Sequence, residues 1–121
     1  LETLLILLAL VSPLLAHAEV DESSCVSRDR ATAIEVAYYF DGTYENIADN
    51  TPVVALVKYT KVAGKTALTS VKMNGQVNES AKGPYFELKA DDGSTLFLSA
   101  PASKSPSELK SNGKTLEVFC D

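Results

Sequence analysis

From about residue 30 onward the chain reads as short runs in which apolar and polar residues alternate. Period-two alternation marks a strand with one buried face, because successive side chains leave a strand on opposite sides. The stretch Lys65–Ser99 sets the pattern. Within it Phe86, Leu88 and Ala90 share one face and Tyr85, Glu87 and Lys89 the other; after a turn at Asp91-Asp92-Gly93, Leu96 and Leu98 repeat the alternation. A further turn is predicted at Asn74-Gly75, since both central positions of a two-residue hairpin need positive φ, which Asn and Gly adopt readily. The polar segment Asn78–Pro84 is predicted as a loop between two of these strands.

Upstream, Val53–Val62 is the clearest strand, with Val53, Ala55, Val57 and Tyr59 on one side and Val54 and Leu56 on the other. Apolar on both faces at its start, it is predicted to be central. Asp49-Asn50-Thr51-Pro52 is a loop before it, and Ala63-Gly64 turns it into Thr66–Met73. Ala31–Phe40 admits two readings. With period two, Ile34, Val36, Tyr38 and Phe40 line one face and Asp41-Gly42 turns the chain into a short strand over Thr43–Ile47; with a helical period, Ile34, Ala37, Tyr38 and Asp41 share a stripe. β-branched and aromatic content favours the strand. Glu19–Ser24 reads as a flexible polar leader. Ala100–Gly113 is rich in Ser, Pro and Lys and reads as an exposed loop in which Pro101 and Pro106 oppose pairing, while Lys114–Cys120 is a last strand. About seven or eight short strands joined by turns predict an all-β fold, a small antiparallel barrel or sandwich.

Residues 1–18 differ from the rest. They are almost wholly apolar and end in Ala16-His17-Ala18, which reads as a secretory signal peptide. Ser12-Pro13 interrupts the run, which is shorter than the roughly 20 apolar residues a spanning helix needs. A membrane anchor or a core helix is the competing reading. Residues 19–121 then form a single β-rich domain, expected in the periplasm or secreted and not membrane-attached after cleavage. Glu19 after the cleavage site, in place of Cys, speaks against a lipoprotein. Cleavage takes away Glu2 and the one histidine, His17, and leaves 11 basic side chains with a net charge near −4. That balance argues against nucleic acid and anionic membrane as partners and is compatible with a basic protein. Two cysteines in an exported chain imply one disulfide, Cys25–Cys120, closing the domain from end to end. Two cysteines with no remaining histidine cannot supply a usual zinc set, so no metal or other cofactor is expected.

The chemistry is sparse. Without histidine there is no Ser-His or Cys-His pair, and the commonest general base is missing. The adjacent carboxylates Asp91-Asp92 sit in a turn, where acids are favoured for local hydrogen bonds. No glycine-rich phosphate loop and no calcium loop occur, so no catalytic residue is assigned and a non-enzymatic binding protein is expected. The loop Asn78–Tyr85 offers a hydroxyl at Ser80, an ammonium at Lys82 and a phenol at Tyr85, stiffened by Gly83-Pro84. A stiff loop of donors suits entry into a partner's cleft, because little chain entropy is lost on docking; an ordinary polar hairpin connection is the plainer alternative. Asn78-Glu79-Ser80 is also an N-glycosylation sequon. Sheet packing accounts for Tyr38, Tyr39 and Tyr44.

The tyrosine-bearing strand with its Asp-Gly turn, the segment Ser80-Ala81-Lys82-Gly83-Pro84-Tyr85 and the late Cys120 together resemble the periplasmic and membrane-bound inhibitors of C-type lysozyme. The likeness runs from about Tyr38 to Cys120. That family's Ser-Gly-x-x-Tyr loop is approximated with one residue fewer. Its second motif, Trp-x-Lys-Gly, is met only by Leu88-Lys89 ahead of Gly93, and its first-strand cysteine has Phe40 near its place. The resemblance implies an exported eight-stranded antiparallel barrel with a disulfide, in which Ser80 and Lys89 meet the catalytic carboxylates of a basic lysozyme. Two other readings stand beside it. The helical version of Ala31–Phe40 would open a cone-shaped α+β ligand-binding fold, cystatin-like or nuclear-transport-factor-like. A surface or adhesion β-domain with an unidentified partner is the third.

Overall fold

Alternating sequence becomes strand in this chain, and the strands pair in the order in which they are made. The computed structural model describes residues 20–42, 47–79, 83–99 and 106–121. These carry β1 (Asp21–Ser27), β2 (Ala33–Phe40), β3 (Pro52–Val62), β4 (Lys65–Asn78), β5 (Tyr85–Ala90), β6 (Thr95–Ser99), β7 (Ser107–Ser111) and β8 (Lys114–Cys120). Each strand runs antiparallel to its sequence neighbours, and β1 also pairs with β8, closing an eight-stranded up-and-down barrel. No helix occurs among the described residues.

Eight strands enclose a space about as wide as the side chains that fill it. The inward residues are those that the alternation marks: Ile34, Val36, Tyr38 and Phe40 from β2, Val53, Ala55 and Val57 from β3, Phe86, Leu88 and Ala90 from β5, Leu96 and Leu98 from β6. Met73, Val77, Leu109 and Val118 complete one continuous core. The Phe86 ring sits 5.0 Å from that of Tyr38 and 5.6 Å from that of Phe40, tilted against both. Outward positions hold Glu35, Glu87, Lys89, Glu108 and Glu117, all exposed. A barrel apolar inside and charged outside is the reverse of one that faces lipid.

β2 settles the ambiguity over Ala31–Phe40 in favour of the strand, and the cone-shaped folds that need a helix there fall with the alternative. Four other expectations need correction. Glu19–Ser24 is not a leader throughout, because β1 begins at Asp21. Its inward positions are Ser23, Cys25 and Ser27, each at most 4% exposed, so the alternation is there but written in small polar residues. The serines are satisfied: Ser23 donates to the Asp121 carbonyl (2.9 Å), and Ser27 donates to Asp29 Oδ1 (2.7 Å) while accepting from the Thr32 N–H (3.0 Å). Likewise Ala100–Gly113 is not all loop. Ser107 and Leu109 turn inward on β7, and the two-residue turn Asn112-Gly113 leads into β8.

Asn74-Gly75 is no turn at all. Both residues lie inside β4, paired with β3 on one side and β5 on the other. Gly75 is required there for space: a Cβ would stand 1.7 Å from the Glu87 carbonyl oxygen and 2.9 Å from Leu88 Cα. The hairpin turns are Ala63-Gly64, with φ of 51° and 80°, and Asn112-Gly113, with 53° and 76°. Positive φ at both central residues matches the twist of the flanking strands. In the expected strand Thr43–Ile47, residues 43–46 lie outside the described residues and Ile47 is not in a strand. β3 is paired along both edges, with β2 and with β4, as expected of an interior strand.

The seam is β1 against β8. Three residue pairs make it, Cys25 with Cys120, Val26 with Phe119 and Ser27 with Val118. The first is covalent: Cys25 and Cys120 are disulfide-bonded, with Cα atoms 4.0 Å apart across the ladder. The Asp121 N–H donates to the Ser24 carbonyl (3.1 Å) and extends the seam past the disulfide. On the outside Arg28 reaches across it, 3.1 Å from Glu117 Oε1 and 5.0 Å over the Phe119 ring. Exposed pairs of this kind add at most about 1 kcal/mol, so the ladder and the disulfide carry the closure.

Candidate functional site

An up-and-down barrel sends alternate connections to opposite ends, and here the two ends differ in kind. One end gathers the tight turns after β1, β3, β5 and β7. The other gathers the long connections after β2, β4 and β6, together with the start of β1. Loops held on a rigid sheet are the usual carriers of recognition. The predicted binding loop, Asn78–Tyr85, belongs to the long-loop end.

Its two stems are well fixed. On the β4 side, the Val77 N–H donates to the Thr51 carbonyl and the Asn50 N–H donates to the Val77 carbonyl, both at 2.8 Å. Asp49 Oδ1 then accepts from the Glu79 N–H at 3.1 Å, so the β2–β3 connection braces the point where the loop departs. The Asn78 side-chain amide donates to the Glu87 carboxylate across the β4–β5 ladder. On the return side, Gly83 takes φ of 108°, a conformation open to glycine, and Pro84 leads into β5. Tyr85 is half-buried, its ring 6.1 Å from that of Phe97 on the outer face. Sequence reasoning found the loop but missed the Asp49 brace, which joins residues thirty apart and leaves no local signal.

Of the predicted contact residues, Ser80 and Lys82 lie outside the described residues. Tyr85 stands where the loop enters β5. Lys89 stands apart from Tyr85. It shares the outer face of β5 with Tyr85 but sits four residues further on, roughly 13 Å along the strand at the usual rise, opposite Asn74. There it lines a shallow concavity of about 400 Å³ with Asn74, Gln76 and Glu87, hollowed out at Gly75.

Charge divides with the ends. The described charged residues at the long-loop end are Asp21, Glu22, Asp41, Asp49, Glu79 and the chain-terminal Asp121, with no cation among them. At the tight-turn end stand Arg28, Arg30, Lys61, Lys65, Lys110 and Lys114, against Asp29, Asp91 and Asp92. Two of those carboxylates are committed to their own turns. Ala31 N–H and the Ser27 hydroxyl hold Asp29 below its ordinary 3.8, and the Ser94 hydroxyl and N–H do the same for Asp92. Asp92 is therefore turn chemistry, as its sequence position predicts. Burial, and next the Asp92 carboxylate, push the Tyr59 phenol above its ordinary 10.0, against a hydrogen bond with Ser111.

Among the described residues no group of three or more His, Cys, Asp or Glu side chains could hold a metal ion. Comparison of the chain with protein-family models, curated proteins and solved structures returns no match in any of the three.

Proposed function

We propose that the protein is an exported domain that acts by contact, without catalysing a reaction, and that it inhibits C-type lysozymes by presenting the β4–β5 loop to the catalytic cleft. The observation that carries this reading is the setting of that loop: it leaves two braced strand ends at the acidic end of a closed barrel. An acidic surface steers a basic enzyme toward it, and complementary fields act mainly on the rate of encounter and on register. Ser80 and Lys82 then supply the hydroxyl and ammonium that meet carboxylates, and Tyr85 packs at the rim. Lys89, at the far end of β5, contributes only where the partner also covers the outer face of that strand. The eight-stranded disulfide-closed barrel is the scaffold that the family resemblance implies. The disulfide is compatible with an oxidising compartment, in keeping with export.

The test is a lysozyme activity assay with purified residues 19–121. Inhibition at micromolar protein is expected, and Ser80→Ala should weaken it about tenfold, the scale of one central polar contact. Undiminished lysozyme activity at large excess refutes the function; inhibition untouched by Ser80→Ala and Lys82→Ala refutes the site.

A further inference from the structure

The barrel is closed along its body but not along all of β4. β4 pairs with β5 only from Met73 to Asn78, whereas its pairing with β3 runs back to Lys65. Over Lys65–Lys72 one edge of β4 therefore has no strand beside it among the described residues. The hydrogen bonds of Val77 fix which groups lie on that edge. Its N–H and C=O both bond toward the β3 side, and alternation along an antiparallel strand turns those of Ser70 and Lys72 the other way. A row of unpaired backbone groups is a template for another strand. The stretch KTALTSVK is rich in the β-branched residues that suit pairing, and Leu68 stands 82% exposed, with Val62 across the turn at 44%.

Charge selects the occupant. Between Asp49 and Glu79 the chain carries Lys58, Lys61, Lys65 and Lys72 and not one carboxylate, although the whole protein is acidic. Glu35 stands opposite Lys58 on β2, but among the described residues none of these lysines has a carboxylate within ion-pairing distance. We propose that the free edge of β4 over Lys65–Lys72 binds an extended acidic segment of a partner protein by strand addition. Backbone pairing supplies the fit, and Lys65 and Lys72 select for carboxylates. A second copy of this chain fits badly, because edge-to-edge pairing would set these lysines against one another. An anionic membrane would meet the lysines but leave the backbone edge unpaired. This site is at the opposite end from the β4–β5 loop and does not rest on the lysozyme reading.

The probe is a labelled peptide of about eight residues alternating glutamate and valine, the length of one strand. Its binding is followed by fluorescence anisotropy and by amide hydrogen exchange. Exchange at Ser70 and Lys72 should slow on binding, while Thr69 and Val71, which already face β3, stay unchanged. Affinity should fall about tenfold or more between roughly 50 and 300 mM salt, as screening shortens the reach of the lysines. The Lys65→Glu/Lys72→Glu double variant should lose about tenfold, and Ser70→Pro, which removes an outward N–H, a similar factor. No binding, equal binding of the matching lysine–valine peptide, or unchanged exchange at Ser70 and Lys72 overturns the proposal. So does a folded Ser70→Pro variant that binds the peptide as well as the parent does. Tight binding to anionic vesicles without peptide binding assigns the lysines to a membrane and overturns it too. Should Ser70→Pro fail to fold, exchange on the parent protein decides.

Discussion

Breaking the Cys25–Cys120 bond removes a covalent constraint that spans nearly the whole domain, and its effect can be worked out. The two cysteines are 95 residues apart in sequence. In the chain-entropy treatment, a cross-link over a loop of that length removes about 16 cal/mol/K from the unfolded ensemble, or about 4.7 kcal/mol at 25 °C. Cys25 is also 2% exposed and in contact with the core, so its truncation to alanine adds roughly 1 kcal/mol for lost contacts. The folded side offers little compensation, since β1 and β8 meet over only three residue pairs, one of them the cysteines themselves. The Cys25→Ala/Cys120→Ala variant should therefore be less stable by about 5–6 kcal/mol, comparable with the whole net stability of many small domains. The measurement is equilibrium urea unfolding followed by circular dichroism, for the oxidised parent, the reduced parent and the double variant. Beyond the lower midpoint, the slope should steepen, because an unfolded chain freed of its cross-link exposes more surface. A loss under about 1 kcal/mol with an unchanged slope would show that the ladder alone closes the barrel and that the entropic reasoning is wrong.

Gly75→Ala should cost about 2–3 kcal/mol despite adding one methyl group, because the added atom would overlap the Glu87 carbonyl and β5 would have to shift; unfolding midpoints check this, and a neutral effect would mean that the strands separate freely there. Leu88→Ala, at a position with no exposed surface, should lose about 2–5 kcal/mol in the same assay. Stability should also fall in acid. Asp29 and Asp92 have carboxyls held below the ordinary 3.8, so the stabilisation they give is present above that value and is lost as pH falls through their lower folded values. Replacing both with Asn should flatten the acid limb of midpoint against pH, and an unchanged limb would assign acid unfolding to other groups. Neutralising Asp21, Glu22 and Asp41 together should slow association with a basic lysozyme several-fold and leave dissociation nearly unchanged, as read by stopped-flow mixing.

What could be read ahead of the structure was whatever the chain states locally. Ile34 to Phe40, Val53 to Val57 and Phe86 to Ala90 announce their buried faces through plain apolar alternation, and all three lie where that alternation puts them. β1 and β7 use the same period with serine at inward positions, and a serine looks like loop until its hydrogen-bond partner is known. That partner is distant for Ser23, whose acceptor is the last residue of the chain. Asn74-Gly75 misled for a related reason. Glycine serves turns by its backbone freedom and strand interiors by its lack of a side chain, and only the neighbouring strand decides which. The proposed binding loop was visible as composition, but the separation of Lys89 from Tyr85 was not a distance that sequence could judge.

The two ends of the barrel differ because topology converts order along the chain into position in space. Successive connections in an up-and-down barrel alternate between ends, so a chain that alternates acidic and basic stretches at the same period becomes a molecule with a charged axis. Here the β2–β3 and β4–β5 connections carry Asp41, Glu45, Asp49 and Glu79 against one base, Lys82, whereas the hairpin between them, from Asn50 to Asn78, carries lysines alone. A net charge of −5 for the whole chain conceals this division. Fields at the two ends act separately once they are further apart than a screening length, about 8 Å at physiological salt. Tyr85 and Ala90 alone, the ends of one short strand, are already about 16 Å apart at the usual rise. The basic partner proposed for the loop end and the acidic segment proposed for the β4 edge should therefore bind together without competing, which binding of one measured in the presence of the other checks.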